Sequence, residues 1–246
     1  MKLKVLASSS KGNSYILEAF KETLIIECGI NAKEILKGLN FYTNDVVGCV
    51  VTHSHQDHSS NASKLADLGI DIYTAKETAS TLGLTGHRIN HIEPLKQFIV
   101  GNFIILPFPT EHDCEGSLGF LIQYKPTKEK LLFVTDSYYC KYKFKNLNYI
   151  MIECNYIKET LNENIEAGYI HEAMKSRLLQ SHFSLENVKQ FLKANDLSQC
   201  REIILLHLSD SNSNALRMVK EIKELTGIKP VVADAGLEVN LEMYPY

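Results

Sequence analysis

The run Val50-Val51-Thr52-His53-Ser54-His55-Gln56-Asp57-His58 constrains this chain more than any other stretch, because an apolar β-branched segment ends abruptly in four side chains able to ligate a metal. Residues of this kind favour extended backbone. In an extended segment, side chains two apart point the same way, so His53 and His55 can face one ion. Asp57 and His58, beyond the turn into a helix, can face a second ion beside the first. A lone histidine is ordinarily a surface or core residue. Four potential ligands within six positions at a strand end, where α/β proteins concentrate their chemistry, predict a metal site. Imidazole and carboxylate suit Zn²⁺, with Mn²⁺ and Fe left open by ligand type alone.

Further ligands recur at the ends of other apolar runs. His112 follows Phe103–Phe108, Asp136 follows Leu131-Leu132-Phe133-Val134-Thr135, and His207 ends Ile203-Ile204-Leu205-Leu206. Alone, Asp136 reads equally as a turn or cap aspartate; in this company it can bridge two ions. Strands are predicted at Leu3–Ala7, Tyr15–Leu17, Leu24–Glu27, Val46–Thr52, Phe103–Phe108, Leu118–Tyr124, Leu131–Thr135 and Tyr149–Ile152. Helices are predicted at Ser60–Leu68, Lys76–Leu82, His171–Leu179, Ser184–Asn195 and Asn214–Thr226, with Ser184 as an N-cap and Glu186 in the first turn. This mixture suits an α/β fold of two packed sheets with helices outside. With no internal repeat and no Pro/Gly/Ser-rich linker in its 246 residues, the chain is expected to form a single domain over 1–246.

Composition narrows the function classes. The apolar runs fall far short of the roughly 20 residues of a membrane span. The N-terminal stretch turns polar at Ser8, too early for a secretory signal, so the expected location is the cytoplasm. The cysteines Cys28, Cys49, Cys114, Cys140, Cys154 and Cys200 form no CxxC pair and read as reduced, mostly buried thiols. A net charge of −3 lacks the basic excess of proteins that grip long nucleic acid through its phosphates.

HxHxDH followed by a His, an Asp and a His, each after an apolar strand, resembles the metallo-β-lactamase superfamily over nearly the whole chain. The resemblance is strongest to its phosphodiesterase branch, which includes RNase Z, the YycJ-type exonucleases and the phage anti-Pycsar enzymes. Leu6-Ala7-Ser8-Ser9-Ser10-Lys11-Gly12-Asn13-Ser14, Thr135-Asp136-Ser137, Ile152-Glu153-Cys154-Asn155, Ser181-His182-Phe183-Ser184 and Leu206-His207-Leu208-Ser209 carry it. It implies an αββα sandwich, two mixed β-sheets flanked by helices. It also implies that His53, His55 and His112 hold one ion and Asp57, His58 and His207 the other, with Asp136 between them. His182 is then a candidate acid that contacts phosphate, or alternatively a helix-start histidine with a structural hydrogen bond. Asp57 would orient or deprotonate the nucleophile.

The function expected is hydrolysis of a nucleotide phosphodiester without a covalent intermediate. The stretch from Asp136 to His207 is too short for the large inserted domain of RNase J-like nucleases, and no long basic or Gly-rich arm of the RNase Z kind precedes His112. Similarity to the anti-Pycsar enzymes implies a small substrate, 3′,5′-cyclic CMP or UMP, and a homodimer, in the host cytoplasm if phage-encoded. The alternative is a YycJ-like DNA exonuclease, and a third reading is an inactive metal-binding interaction module. Two local features stay open. The Ser8–Ser14 loop either positions a phosphate through backbone N–H groups or is a plain turn. The tract Tyr138–Lys145 interleaves aromatics with lysines and can stack a base, or serve as a solvated loop or dimer contact. Glu111, Asp113 and Glu115 read as supports of the site or as solvated acids, and His87, His91 and His171 as structural.

Overall fold

The computed structural model describes residues 1–241, with the side chains of 172–174 left out of account. Its contacts divide the chain into two compact units, the first built from Met1–Pro109, Cys114–Lys128 and the residues from Ala233 onward, the second from Thr110–Asp113 and Glu129–Val232. The first unit runs β1 (Lys2–Ser9), β2 (Gly12–Ala19), β3 (Glu22–Ile26), α1 (Ala32–Gly38), β4 (Val46–Val50), α2 (Gln56–Ser59), α3 (Ala62–Asp67), β5 (Ile72–Ala75), α4 (Lys76–Thr81), β6 (Ile89–Ile92), β7 (Phe98–Val100), β8 (Phe103–Pro109) and β9 (Leu118–Tyr124). The second holds β10 (Lys130–Val134), β11 (Tyr149–Glu153), α5 (Lys158–Glu166), α6 (Glu172–Ser181), α7 (Leu185–Ala194), β12 (Glu202–Leu206), α8 (Ala215–Thr226) and β13 (Val231–Val232). The strand β14 (Glu238–Asn240) belongs to the first.

In the first unit β14-β1-β2-β3-β4-β5-β6 form one mixed sheet. Its β1–β2–β3 meander is antiparallel, and β3 through β6 are parallel. Ile16, Ile25, Cys49, Val51 and Ile72 form a core with Ile35 of α1 and Leu65 of α3, all fully buried. Strands β7, β8 and β9 run antiparallel.

In the second unit β10, β11, β12 and β13 are parallel. All five residues of β11 are buried, the pattern of a central parallel strand covered on both faces, which is why Tyr149–Ile152 is continuously apolar rather than alternating. Helix α7 carries a stripe of Leu185, Val188, Phe191 and Leu192 on its buried side. The Ser184 Oγ caps it by accepting from the Asn187 N–H at 3.2 Å, as the sequence predicts. Helix α8 begins with an Asn214 cap and ends at left-handed Gly227.

The fold class is two mixed β-sheets flanked by helices, as the sequence implies. Five cysteines are buried and Cys114 is half-buried, and among the described residues none forms a disulfide. Among the described residues no helix is long and apolar enough to cross a membrane. The strands β5, β6 and β7 were not predicted, being only three or four residues long. The predicted helix Ser60–Leu68 is preceded by the one-turn helix α2, which takes up part of the histidine motif itself.

Candidate metal centre

In the first unit β4 delivers the chain to Val51, Thr52 and His53, after which the backbone turns into α2. His53 and His58 are fully buried, and His55 and Asp57 are half-buried. The His53 ring lies 4.8 Å from that of His55 and 4.3 Å from that of His58, centroid to centroid. Each buried ring is fixed through its Nδ1, His53 by the Thr52 Oγ1 at 2.8 Å and His58 by the Glu27 Oε2 at 2.9 Å. Holding one ring nitrogen in this way orients the other, the usual support for a metal-binding imidazole. The His58 Nε2 sits 3.3 Å from the Asp57 Oδ2 and 3.1 Å from the Asn13 Nδ2.

Glu27 and Asn13 are site supports that the sequence reading missed. The other Glu27 oxygen accepts from the Thr52 N–H at 2.9 Å, so a single buried carboxylate clamps both ends of the motif. Burial raises its pKa, and the bonds from His58 and Thr52 offset part of that rise. Asn13 closes the β1–β2 turn and donates from its amide to the carbonyls of Ser9 and Asp57 at 3.0 and 3.2 Å. The Ser8–Ser14 segment is thus a tight hairpin connection with an inward brace. Close approach completes the support, since a Cβ on Gly29 would stand 1.8 Å from the Asp57 carbonyl oxygen and 2.6 Å from the His58 nitrogen.

In the second unit the parallel strands β10, β11 and β12 bring their carboxyl ends to one edge, with Val134 beside Ile152 and Glu153 beside Leu206. Asp136, Glu153 and His207 follow from those ends, and His182 lies between α6 and α7. Each of the four offers a ligand atom, all within 4.8 Å of one another. The His207 Nδ1 is 3.2 Å from the Asp136 Oδ1 and 3.1 Å from the Glu153 Oε1, and the His182 Nδ1 is 2.6 Å from the same Glu153 oxygen. The His112 Nε2 lies 3.3 Å from the Asp113 Oδ1 and 3.9 Å from the Asp136 Oδ2. The second Glu153 oxygen accepts from the backbone N–H groups of Phe183 and Ser137 at 3.1 and 3.3 Å. Glu153, also missed as a functional residue, is the hub of this group. Its signal was present, since it ends a fully apolar strand as the predicted ligands do.

The electrostatics demand positive charge here. Burial alone would push the Glu153 carboxyl up, yet the charge and hydrogen bonds of His182 and His207 bring it below the ordinary value, against an opposing push from Asp136. Burial disfavours a charged His207, but Asp136 and Glu153 outweigh it and push its pKa up to about 10. His182 is raised in the same way, chiefly by Glu153 acting against burial. A divalent cation bound among these groups would supply such charge, and its binding would release protons. The donor sets of both units, imidazoles and carboxylates held by buried partners, fit divalent metal.

Three of these residues adopt left-handed backbone without being glycine, namely Glu27 (φ 64°), Asp136 (φ 45°) and His207 (φ 52°). Each stands just past a strand. Such conformations cost about 1–3 kcal/mol apiece and gather at functional sites. Of the remaining acids, Glu111 pairs with Lys141 at 3.1 Å, and Asp113 lies 3.5 Å from Arg177. His87 and His91 are exposed.

Fold and site together are those of a metallo-β-lactamase fold whose clustered imidazoles and carboxylates suit divalent metal. YhfI of Bacillus subtilis, a metallo-β-lactamase fold protein, superposes with a TM-score of 0.74 at 15% identity, covering 97% of this chain and 98% of that one. In sequence the chain is similar to bacterial exodeoxyribonucleases. It is 27% identical to the exodeoxyribonuclease WalJ of Streptococcus pneumoniae over 99% of this chain and 93% of that protein. It is 25% identical to the exodeoxyribonuclease YycJ of Bacillus anthracis, over 96% and 90% respectively. The family model described as Anti-Pycsar protein Apyc1 matches residues 6–66, a span that includes the Ser8–Ser14 turn and the whole histidine motif.

Proposed function

We propose that the chain is a dinuclear metal-dependent phosphodiesterase whose substrate is a 3′,5′-cyclic mononucleotide of the cyclic CMP or UMP type. In this reading His53, His55 and His112 would hold one ion and Asp57, His58 and His207 the other, with Asp136 as the ligand they would share. Zn²⁺ is the favoured metal, with Mn²⁺ as the alternative, and the enzyme acts as a cytoplasmic homodimer that removes a cyclic-nucleotide signal, in the host if phage-encoded. The observation that carries the reading is the preassembled group of Asp136, Glu153, His182 and His207, in which the buried Asp136, Glu153 and His207 at the ends of three parallel strands meet the half-buried His182.

When bound, two such ions make a water nucleophilic near neutral pH and stabilise charge on phosphoryl oxygens. The chain's own residues do the rest. Asp57, half-buried beside His58, orients the attacking water or takes up its proton. Glu153 holds the His182 Nδ1, which leaves Nε2 as the ring nitrogen to contact a phosphate oxygen or protonate the leaving alkoxide. His182 is the more accessible partner of that pair, its side chain 18% exposed while the Glu153 side chain is fully buried.

The match of the anti-Pycsar family model over the histidine motif and the net charge of −3 support a small substrate. The near full-length similarity to exodeoxyribonucleases WalJ and YycJ supports a second reading, DNA exonuclease activity at the same site. Hydrolysis of cyclic CMP, UMP, AMP and GMP beside single- and double-stranded DNA, with Zn²⁺ or Mn²⁺ and a His55→Ala control, separates the two. Cleavage of cyclic nucleotides that the control abolishes is the expected result. Degradation of DNA with every cyclic nucleotide untouched would overturn the small-substrate reading in favour of the nuclease.

A further inference from the structure

The segment Tyr138–Lys145 resolves into parts with different work. Phe144 is buried, 6.5 Å from the Phe191 ring of α7. Lys141 is paired with Glu111 and stands over the Tyr142 ring at 5.6 Å. Two rings remain turned outward, Tyr138 at 38% and Tyr139 at 50% exposure. Among the described residues neither stacks on another aromatic, and neither hydroxyl is hydrogen-bonded.

The backbone that carries these rings is held firmly. The Tyr138 N–H donates to the Glu111 carbonyl at 3.2 Å, and the Tyr138 carbonyl accepts from the Asn187 amide at 2.8 Å. The Ser137 hydroxyl donates to the Tyr139 carbonyl at 2.8 Å. Each anchor adjoins the site within this unit. Glu111 immediately precedes His112, Ser137 immediately follows Asp136, and Asn187 lies in the first turn of α7, which His182 leads into. An irregular loop fixed at three points that still exposes two flat rings loses little conformational freedom when a ligand lies against them. Every nucleobase has a π-face that such rings can meet, whatever its sequence identity.

We propose that Tyr138 and Tyr139 form a stacking platform that receives the nucleobase of the substrate and so makes the site select base-bearing phosphodiesters. The proposal rests on the phosphodiesterase reading and adds to it the residues that confer selectivity. A tyrosine ring stacks by its face, so phenylalanine should serve as well, whereas alanine should not. Both rings lie outside the core, so their replacement leaves the fold intact.

The test is equilibrium binding to the metal-loaded protein, followed by calorimetry, with cyclic CMP and with the base-free 1-O-methyl ribose 3′,5′-cyclic phosphate, alongside KM and kcat for each by ³¹P NMR. For the double variant Tyr138→Ala/Tyr139→Ala, affinity for cyclic CMP is expected to fall about 10-fold or more, with a matching rise in KM and kcat held within about twofold. The double phenylalanine variant should recover affinity. Wild type and alanine variant should be alike toward the base-free analogue. Equal affinity of wild type and alanine variant for cyclic CMP would overturn the platform while leaving the phosphodiesterase reading standing. So would a change in oligomeric state by sedimentation without a change in affinity. If the wild-type protein binds neither cyclic CMP nor a single-stranded oligonucleotide, the platform and the reading beneath it both fall.

Discussion

The histidine motif around α2 and the group at the ends of β10, β11 and β12 contain the same kinds of side chain, yet the chain assembles them by opposite routes. In the first, four candidate ligands are neighbours in sequence, and one turn of helix after a strand is enough to cluster them. In the second, His112, Asp136, Glu153, His182 and His207 come from five separate segments; the parallel register of three strands brings Asp136, Glu153 and His207 together, and His182 joins them from the α6–α7 junction. The supports differ accordingly. Glu27 and Asn13 reach the motif from the preceding β-meander and fix it from one side, whereas Glu153 lies within its group and joins His182 to His207. A local cluster needs a brace, and a dispersed one needs a hub.

That contrast can be broken most severely at the hub. Replacing Glu153 by alanine leaves two imidazoles and two backbone N–H groups without their buried partner, and losses of this kind cost about 3–5 kcal/mol. Urea unfolding should show that loss, while the His58 ring resonances stay in place by NMR. Displacement of His58 as well would mean that the two groups are not separately supported. Gly29→Ala strikes the other cluster by steric means, since its Cβ would collide with the Asp57 and His58 backbone. A destabilisation of about 3 kcal/mol is expected, at the upper end of overpacking, together with weaker metal binding. Wild-type stability in that variant would show that the α2 loop yields easily and is not held by close packing.

Smaller changes sharpen the distinction between brace and ligand. Glu27→Gln keeps the shape of the clamp but removes its charge from His58, and metal affinity should drop about 10- to 100-fold, as expected of a partner that orients a ligand without touching the ion. A complete loss of one ion would instead make Glu27 a ligand. The smallest effect is expected at Ser184→Ala, where loss of the α7 cap costs about 1 kcal/mol in unfolding experiments and should leave metal content unchanged. A fall in metal content there would mean that the start of α7 also supports the ligand group.

The two groups were not equally legible in the sequence. Val50–His58 announced itself because strand pattern and ligand types coincide within one short run. Asp136 and His207 could be picked out from their positions after apolar strands, and α7 from its cap and apolar stripe. Glu153 obeyed the same strand-then-ligand pattern but went unassigned, because a carboxylate ending a strand is also what an ordinary turn looks like. Glu27 and Asn13 were hidden for a different reason. Their partners lie far along the chain, and their role depends on the sheet order and on left-handed backbone at Glu27, neither of which has a local signature. The strands β5 to β7 were too short for any periodicity to show.

The proposal that the chain holds two divalent ions is tested most directly by metal analysis of the purified protein after Zn²⁺ loading and exhaustive removal of excess, with His55→Ala and His207→Ala beside it. The account predicts two ions per wild-type chain and a loss of bound metal in each variant. A wild-type chain that retains one ion or none, or variants that keep the wild-type content, would contradict it.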